Sequence, residues 1–290
     1  MPRRNRDLVI ACVLAAALVW LYGGILSSLA RQWASDDNYS HGFFVAPLAA
    51  YFAWERRHLL AGASSRPSIV GLFLVAASLV VLLAGLLGAE LFLTRVSLVG
   101  VLAGTILFVW GRDHLRILAL PVAFLLLMIP LPAIIFNQIA FPLQLLASRA
   151  GELALGVAGI PVLREGNVLQ LPSRTLEVAE ACSGIRSLVS LLTLAIVLGY
   201  FTERRVGARV LIALAAIPIA IFANAARVAG TGFASEFVSP AAAEGFFHTF
   251  SGWLVFVVAF VGLLGVQRAI AGRDPGAPST PVVQPREAEA

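Results

Sequence analysis

The sequence predicts an all-α integral membrane protein of about eight transmembrane helices, with a small extracytoplasmic β-hairpin element ahead of the sixth span. Three observations carry this expectation. Of 290 residues, 59% are hydrophobic and only 13% charged, at a mean hydropathy of +0.89. A soluble domain carries roughly 25% charged residues. Apolar stretches of spanning length recur along the chain, parted by short polar connections. All 21 basic residues are arginine, and the net charge is +5. In so apolar a chain, those arginines are expected on cytoplasmic loops rather than on nucleic acid. The expected surroundings are therefore membrane lipid, with no nucleic-acid partner.

A basic flank, Pro2-Arg3-Arg4-Asn5-Arg6, precedes a first apolar run from Leu8 to Leu29. Ser28-Leu29-Ala30 has the small-x-small form of a signal cleavage site. The run is nevertheless longer than the roughly 7–15 residues of a signal core, so an uncleaved anchor is expected. Arg31 to Ser40, with Trp33, Asp36, Asp37 and Tyr39, reads as an outer loop with interfacial aromatics. His41 to Trp54 reads as a short second span, closed by Glu55-Arg56-Arg57-His58. Pro67 to Gly88 is the third span and Val96 to Trp110 the fourth, with Glu90 and Arg95 in the turn between them. Ile117 to Phe136 is the fifth, kinked by Pro121, Pro130 and Pro132.

Asn137 to Ala181 is the largest non-spanning region. Gln138 to Val157 reads as an interfacial amphipathic helix or a re-entrant segment. Val162-Leu163 and Val168 to Leu171 flank a glycine turn at Gly166 and read as a hairpin, and Thr175 to Ala179 alternates like a third strand. Ile185 to Phe201 and Val210 to Val228 are the sixth and seventh spans. Ala229 to Gly245 is a small-residue loop, and Phe246 to Ala269 the eighth span. Residues 1–272 are expected to form one polytopic domain, and 273–290 a disordered cytoplasmic tail.

This scheme puts 14 of the 21 arginines on one side of the membrane and 7 on the other. The excess predicts both termini in the cytoplasm.

Two cysteines exclude a disulfide framework. Cys12 lies in the first apolar run, and the topology puts Cys182 on the opposite side of a core about 30 Å thick, too far away for a bridge. Cys182 lies in Glu180-Ala181-Cys182-Ser183-Gly184-Ile185-Arg186, where a polar, strand-like region gives way to an apolar helix. A helix start favours the thiolate, the species that attacks carbonyls. Arg227 ends the seventh span and His248 opens the eighth, so all three reach the same outer boundary. Such a set can run acyl transfer: the thiolate attacks an amide, histidine moves the proton, and a guanidinium supports the oxyanion. Each residue also has a plainer role. Cys182 is then a small residue at a helix entry, Arg227 a snorkelling anchor, Asn224 a helix-bonding amide and His248 an interfacial polar tip.

Glu180-Ala181-Cys182-Ser183-Gly184-Ile185-Arg186-Ser187-Leu188 resembles the signature of the exosortase/archaeosortase family of membrane transpeptidases. Asn224-Ala225-Ala226-Arg227 is similar to its arginine motif, and His248-Thr249-Phe250-Ser251-Gly252 to the H-x-x-x-G motif of the bacterial exosortase branch. Asp37-Asn38-Tyr39-Ser40-His41-Gly42 resembles an early stretch of the same family. The resemblance implies an inner-membrane enzyme of about eight spans with its site at the periplasmic face. It also implies protein substrates that end in a Pro-Glu-Pro motif, one transmembrane helix and a basic tail (the PEP-CTERM signal). Cys182 would be the nucleophile, supported by Arg227 and His248, with no cofactor.

Other readings remain open on the residues alone. A transporter needs polar groups deep in its spans, and these are nearly uncharged at mid-depth. A non-catalytic scaffold for export would survive loss of Cys182, and a membrane acyltransferase would use the same thiol on a lipid thioester. His41, His58 and His114 are scattered, so no metal site is expected. Asp36-Asp37 reads as a solvated pair or a cation site. Glu177 and Glu180 have no assigned role and would raise a nearby thiol pKa unless paired, for example with Arg174 or Arg186.

Overall fold

A computed structural model describes the backbone of residues 3–178, 184–237 and 246–272, and the side chains of 9–178, 184–237 and 252–272. It separates into two compact units, Met1–Pro132 and Ala133–Ala290. The first holds helices α1 (Arg3–Ser35), α2 (Gly42–Glu55), α3 (Arg57–Gly62), α4 (Ile69–Leu87), α5 (Leu91–Val109) and α6 (Arg112–Phe124), then a 3₁₀ turn, Leu125–Met128. The second holds α7 (Ala133–Val157), strands β1 (Leu163–Glu165), β2 (Val168–Gln170) and β3 (Thr175–Glu177), and helices α8 (Ile185–Thr202), α9 (Val206–Phe237) and α10 (Phe246–Ala271).

Among the described residues six helices are long and apolar enough to cross a membrane: Val9–Ser35, Ile69–Leu87, Leu91–Val109, Ile185–Thr202, Val206–Phe237 and Gly252–Ala271. A seventh is reached only if Arg112–Met128 and Ala133–Val157 count as one broken span. The all-α membrane class therefore stands, while the expected eight spans are not confirmed among the described residues. One reason is length. The 14 residues of α2 rise only about 21 Å at 1.5 Å each, against a hydrocarbon core of about 30 Å.

The other reason is proline. Pro130 and Pro132 do not kink a continuous fifth span; they end it, because the residue before a proline is driven out of the helical region. Ile129 is extended, at φ −91° and ψ 118°. Backbone groups freed by such a break need partners, and the early stretch supplies them. The indole Nε1 of Trp33 donates to the Met128 carbonyl at 2.9 Å. His41 Nε2 lies 3.0 Å from the Leu127 carbonyl, and the Leu131 N–H donates to the Tyr39 hydroxyl at 3.2 Å. Gly42 sits directly beneath the Trp33 indole, where any Cβ would collide with the ring. Trp33, Tyr39 and His41 are thus buried, and Arg31 to Ser35 continue α1, where an outer loop was expected. Asp36 is engaged locally, its Oδ1 accepting the Asn38 N–H at 2.9 Å.

Helices α4 and α5 form a close antiparallel hairpin. Gly71 abuts the Phe108 backbone and Gly104 the Val75 backbone and side chain, so that a Cβ at either would collide. Small residues allow this approach between helices in lipid. Arg95, expected in the connecting turn, lies instead in the second turn of α5 and is 3% exposed. Tyr22 and Ser97 share a buried hydrogen bond of 3.0 Å that ties α1 to α5.

In the second unit α9 packs against α7, α8 and α10. Leu191 and Ala195 of α8, Ile212 and Ala216 of α9, and Ala259 and Leu263 of α10 make one core. The strands form an antiparallel sheet in the order β1-β2-β3, with Glu165 opposite Val168 across a turn at Gly166 (φ +66°). The hairpin and third strand fall where the alternation predicted. Leu169, Leu171 and Val178 pack on Leu155 of α7 and Val228 of α9, and Arg164 Nε reaches Glu152 at 2.7 Å. The expected loop from Ala229 is corrected in its first part: 229–237 continue α9. Gly232 packs on Leu155, and Glu236 accepts the Ser173 N–H at 3.1 Å, which holds the β2–β3 turn. Residues 273–290 lie outside the described residues.

His41 yields a pH test. Burial pushes its pKa below the usual 6.5, against the pull of the Leu127 and Asn38 backbone. Just below 6.5 the unfolded chain holds a proton that the folded chain lacks, so stability falls as the pH drops through that window. The thermal unfolding midpoint in detergent should fall between about pH 7.5 and about pH 5.5, and the fall should be shallower in His41→Gln. Equal falls in both proteins would remove His41 as the responsible group.

Candidate functional site

The chain enters α8 through Gly184, which is left-handed at φ +82° and serves as the N-cap residue. A side chain is excluded there twice. The backbone conformation disfavours it, and a Cβ would stand 2.7 Å from the Asn224 Cγ and 2.8 Å from its Cβ. Asn224, on α9, is 4% exposed. Gly184 and Asn224 share the wall of a cavity of about 10 Å³ with Leu143, Ala147, Leu188 and Ala220, a space of roughly one water. Cys182 and Glu180 lie outside the described residues. The helix proper begins at Ile185, three residues after the cysteine.

Arg227 stands one turn along α9 from Asn224 and is half-buried. Its guanidinium lies against α10: a Cβ built at Gly252 would sit 3.4 Å from both Cζ and Nη2. Gly252 therefore provides the flat spot on which the arginine rests. Position 248 is in the first turn of α10. It precedes Gly252 by four residues and so lies on the same face of the helix; the His248 side chain is outside the described side chains.

The described members of the three sequence motifs thus meet on α9 through the side chains of Asn224 and Arg227. The cysteine motif touches α9 at Asn224, and the histidine motif touches α9 at Arg227, one turn further on. Sequence reasoning singled out Cys182, Arg227 and His248 but missed the parts played by Gly184 and Gly252. A signal was present, since each glycine sits inside a motif at a helix start. Arg186 is exposed in the first turn of α8, and Glu177 is exposed on β3.

Arg227 does not end its span as expected, because α9 continues ten residues beyond it to Phe237. A guanidinium between two helices, partly shielded from water, is a fixed fork of donors for an oxyanion or a thiolate. Cys12 lies exposed on the apolar α1, apart from this arrangement in the chain. His41 is occupied in holding the break after α6. Among the described residues no three His, Cys, Asp or Glu side chains gather as a metal site.

The sequence model of the transmembrane exosortase family (Exosortase_EpsH) matches residues 33–265. The matched stretch runs from Trp33 through Cys182 and Arg227 to beyond Gly252. No curated protein and no solved structure matches. With the match covering well over half its length, the chain belongs to the transmembrane exosortase family.

Proposed function

We propose that the protein is a membrane-embedded cysteine transpeptidase or peptidase that cleaves C-terminal sorting signals of the PEP-CTERM type from exported proteins. The observation that supports this reading most is the seating of Arg227 on Gly252 one turn from the contact between Asn224 and Gly184. It brings Gly184 of the cysteine motif and Gly252 of the histidine motif to neighbouring points on α9.

In the proposed reaction, the Cys182 thiolate attacks the scissile carbonyl. The S–C bond forms while the carbonyl oxygen takes the electron pair, and the Arg227 guanidinium donates hydrogen bonds to that oxyanion. On collapse the C–N bond breaks, and His248 delivers a proton to the departing amine. The remaining thioester passes the acyl group to water or to an amine acceptor, and Cys182 is regenerated. The substrate's terminal helix would lie in the same bilayer as the enzyme. The location that follows is a bacterial inner membrane, with both termini cytoplasmic and the site at the periplasmic face.

The direct test is processing of a PEP-CTERM substrate in cells, read as the ratio of cleaved to uncleaved protein and corrected for enzyme level. Cys182→Ala should abolish cleavage while Cys12→Ala leaves it intact. Retained function in Cys182→Ala would point to a non-catalytic scaffold instead. A membrane-impermeant thiol reagent should label Cys182 and spare Cys12.

Arg227→Lys distinguishes an oxyanion donor from a snorkelling anchor. Lysine keeps the charge but loses the planar fork, so processing should fall roughly a hundred- to a thousandfold, as for loss of one oxyanion donor. The exposed Arg204→Lys is the control and should be near wild type. Near-normal processing by Arg227→Lys would reduce that residue to an anchor. Gly252→Leu, which displaces the guanidinium, should accumulate in the membrane but cleave poorly, whereas Gly252→Ala should retain much of the activity.

A further inference from the structure

The first unit holds a pocket of about 220 Å³ beside the connection between α4 and α5. Gly24 and Ser28 of α1, Gly85 of α4, and Leu91, Thr94 and Arg95 of α5 line it. Its walls are largely apolar, and small residues on two helices keep it open. Nothing lies within 4 Å of where a Cβ on Gly24 would be.

Arg95 is the exception to that apolar lining. It is 3% exposed, its Nη1 donates to Gln32 Oε1 at 2.7 Å, and its Nε is buried without a hydrogen-bond partner. Glu90 supplies nearby negative charge, but its Oε1 already accepts the Phe92 N–H at 3.2 Å as the cap of α5. A buried guanidinium donor facing no acceptor is costly. An apolar pocket with an unmet cationic donor asks for a ligand that is apolar along its length and anionic at one end.

We propose that this pocket binds an anionic phospholipid, with an acyl chain beside Gly24 and Ser28 and a phosphate oxygen accepting from Arg95. The pocket lies near the ends of α4 and α5, both of spanning length, where a lipid phosphate meets hydrocarbon. Basic pockets between transmembrane helices bind such headgroups, and guanidinium suits phosphate geometry. A second helix is about 10 Å across with its side chains, too thick for this volume. A free phosphate would leave the apolar walls uncovered.

The test is native mass spectrometry of the full chain in detergent, titrated with phosphatidylglycerol or with phosphatidylcholine of the same acyl chains. Wild type should prefer phosphatidylglycerol by about tenfold, a difference near 1.4 kcal/mol. Gly24→Leu, whose Cβ would meet nothing within 4 Å, takes up space on the pocket wall and should weaken phosphatidylglycerol binding by about tenfold. Gly23→Leu has equal room but does not line the pocket, and should match wild type. Arg95→Gln should bring the two lipids close to equal affinity. Should that variant fail to fold, Gly24→Leu decides alone. Unchanged binding in Gly24→Leu would overturn the proposal. So would displacement of the lipid by millimolar inorganic phosphate, which would mark a phosphate site. A change of oligomeric state in Gly24→Leu without a change in lipid binding would mark a contact between copies and also overturn it.

Discussion

A backbone N–H or C=O surrounded by hydrocarbon has no water to turn to, so a break in a helix survives only where the protein supplies the missing partner. That requirement governs the first unit. Pro130 and Pro132 interrupt what would otherwise be a span, and carbonyls and an amide near the break go unmet by the helix. Trp33, Tyr39 and His41 meet them from roughly ninety residues away in sequence. The stretch that resembles an early family segment is, in this chain, the counterpart of the proline break. Gly42 belongs to the same device, since it leaves the space that the Trp33 indole fills.

In the second unit α9 has the corresponding part. One helix carries Ile212 and Ala216 into the core with α8 and α10, Asn224 against the entry to α8, Arg227 against α10, Val228 under the sheet and Gly232 against Leu155 of α7. The contact of Gly184 in the cysteine motif and that of Gly252 in the histidine motif both run to it. The short strands, three residues each, are too small to hold themselves. They are ordered by α7 and α9, to which Arg164–Glu152 and Ser173–Glu236 tie them.

How much of this was legible in the sequence follows from the range of the forces involved. Membrane class depends on local hydropathy and could be read at once, as could the hairpin at Gly166, where alternation and a turn glycine agree. Span count could not be read as securely. The sequence already closed the second span at Trp54, and the structure ends α2 one residue on, at Glu55; what hydropathy does not reveal is that prolines end a helix rather than bend it. That outcome depends on side chains far away in the sequence. The small-residue stretch after Val228 looked like a loop by composition, although Val228, Gly232 and Ser235 continue a helical period. Arg95 looked like a turn residue because a charge is rarely buried, and only its bond to Gln32 of α1 accounts for its place. At the candidate site the reactive residue types could be read from motifs. The contacts of Gly184 with Asn224 and of Gly252 with Arg227 join distant parts of the chain and could not.

The grip of Glu236 on Ser173 has a consequence for how this chain can change over time. From a single unbroken stretch of helix, Asn224 meets Gly184, Arg227 meets Gly252, Val228 and Gly232 both meet Leu155, and Ser235 and Glu236 both meet Ser173. Each added or lost residue turns whatever follows by about 100° and shifts it by 1.5 Å. A substitution in α9 disturbs one contact, but an insertion or deletion between Asn224 and Glu236 would rotate the sheet's tether away from the arginine's seat. The length of this helix segment is therefore a stricter constraint on descent than the identity of most residues within it.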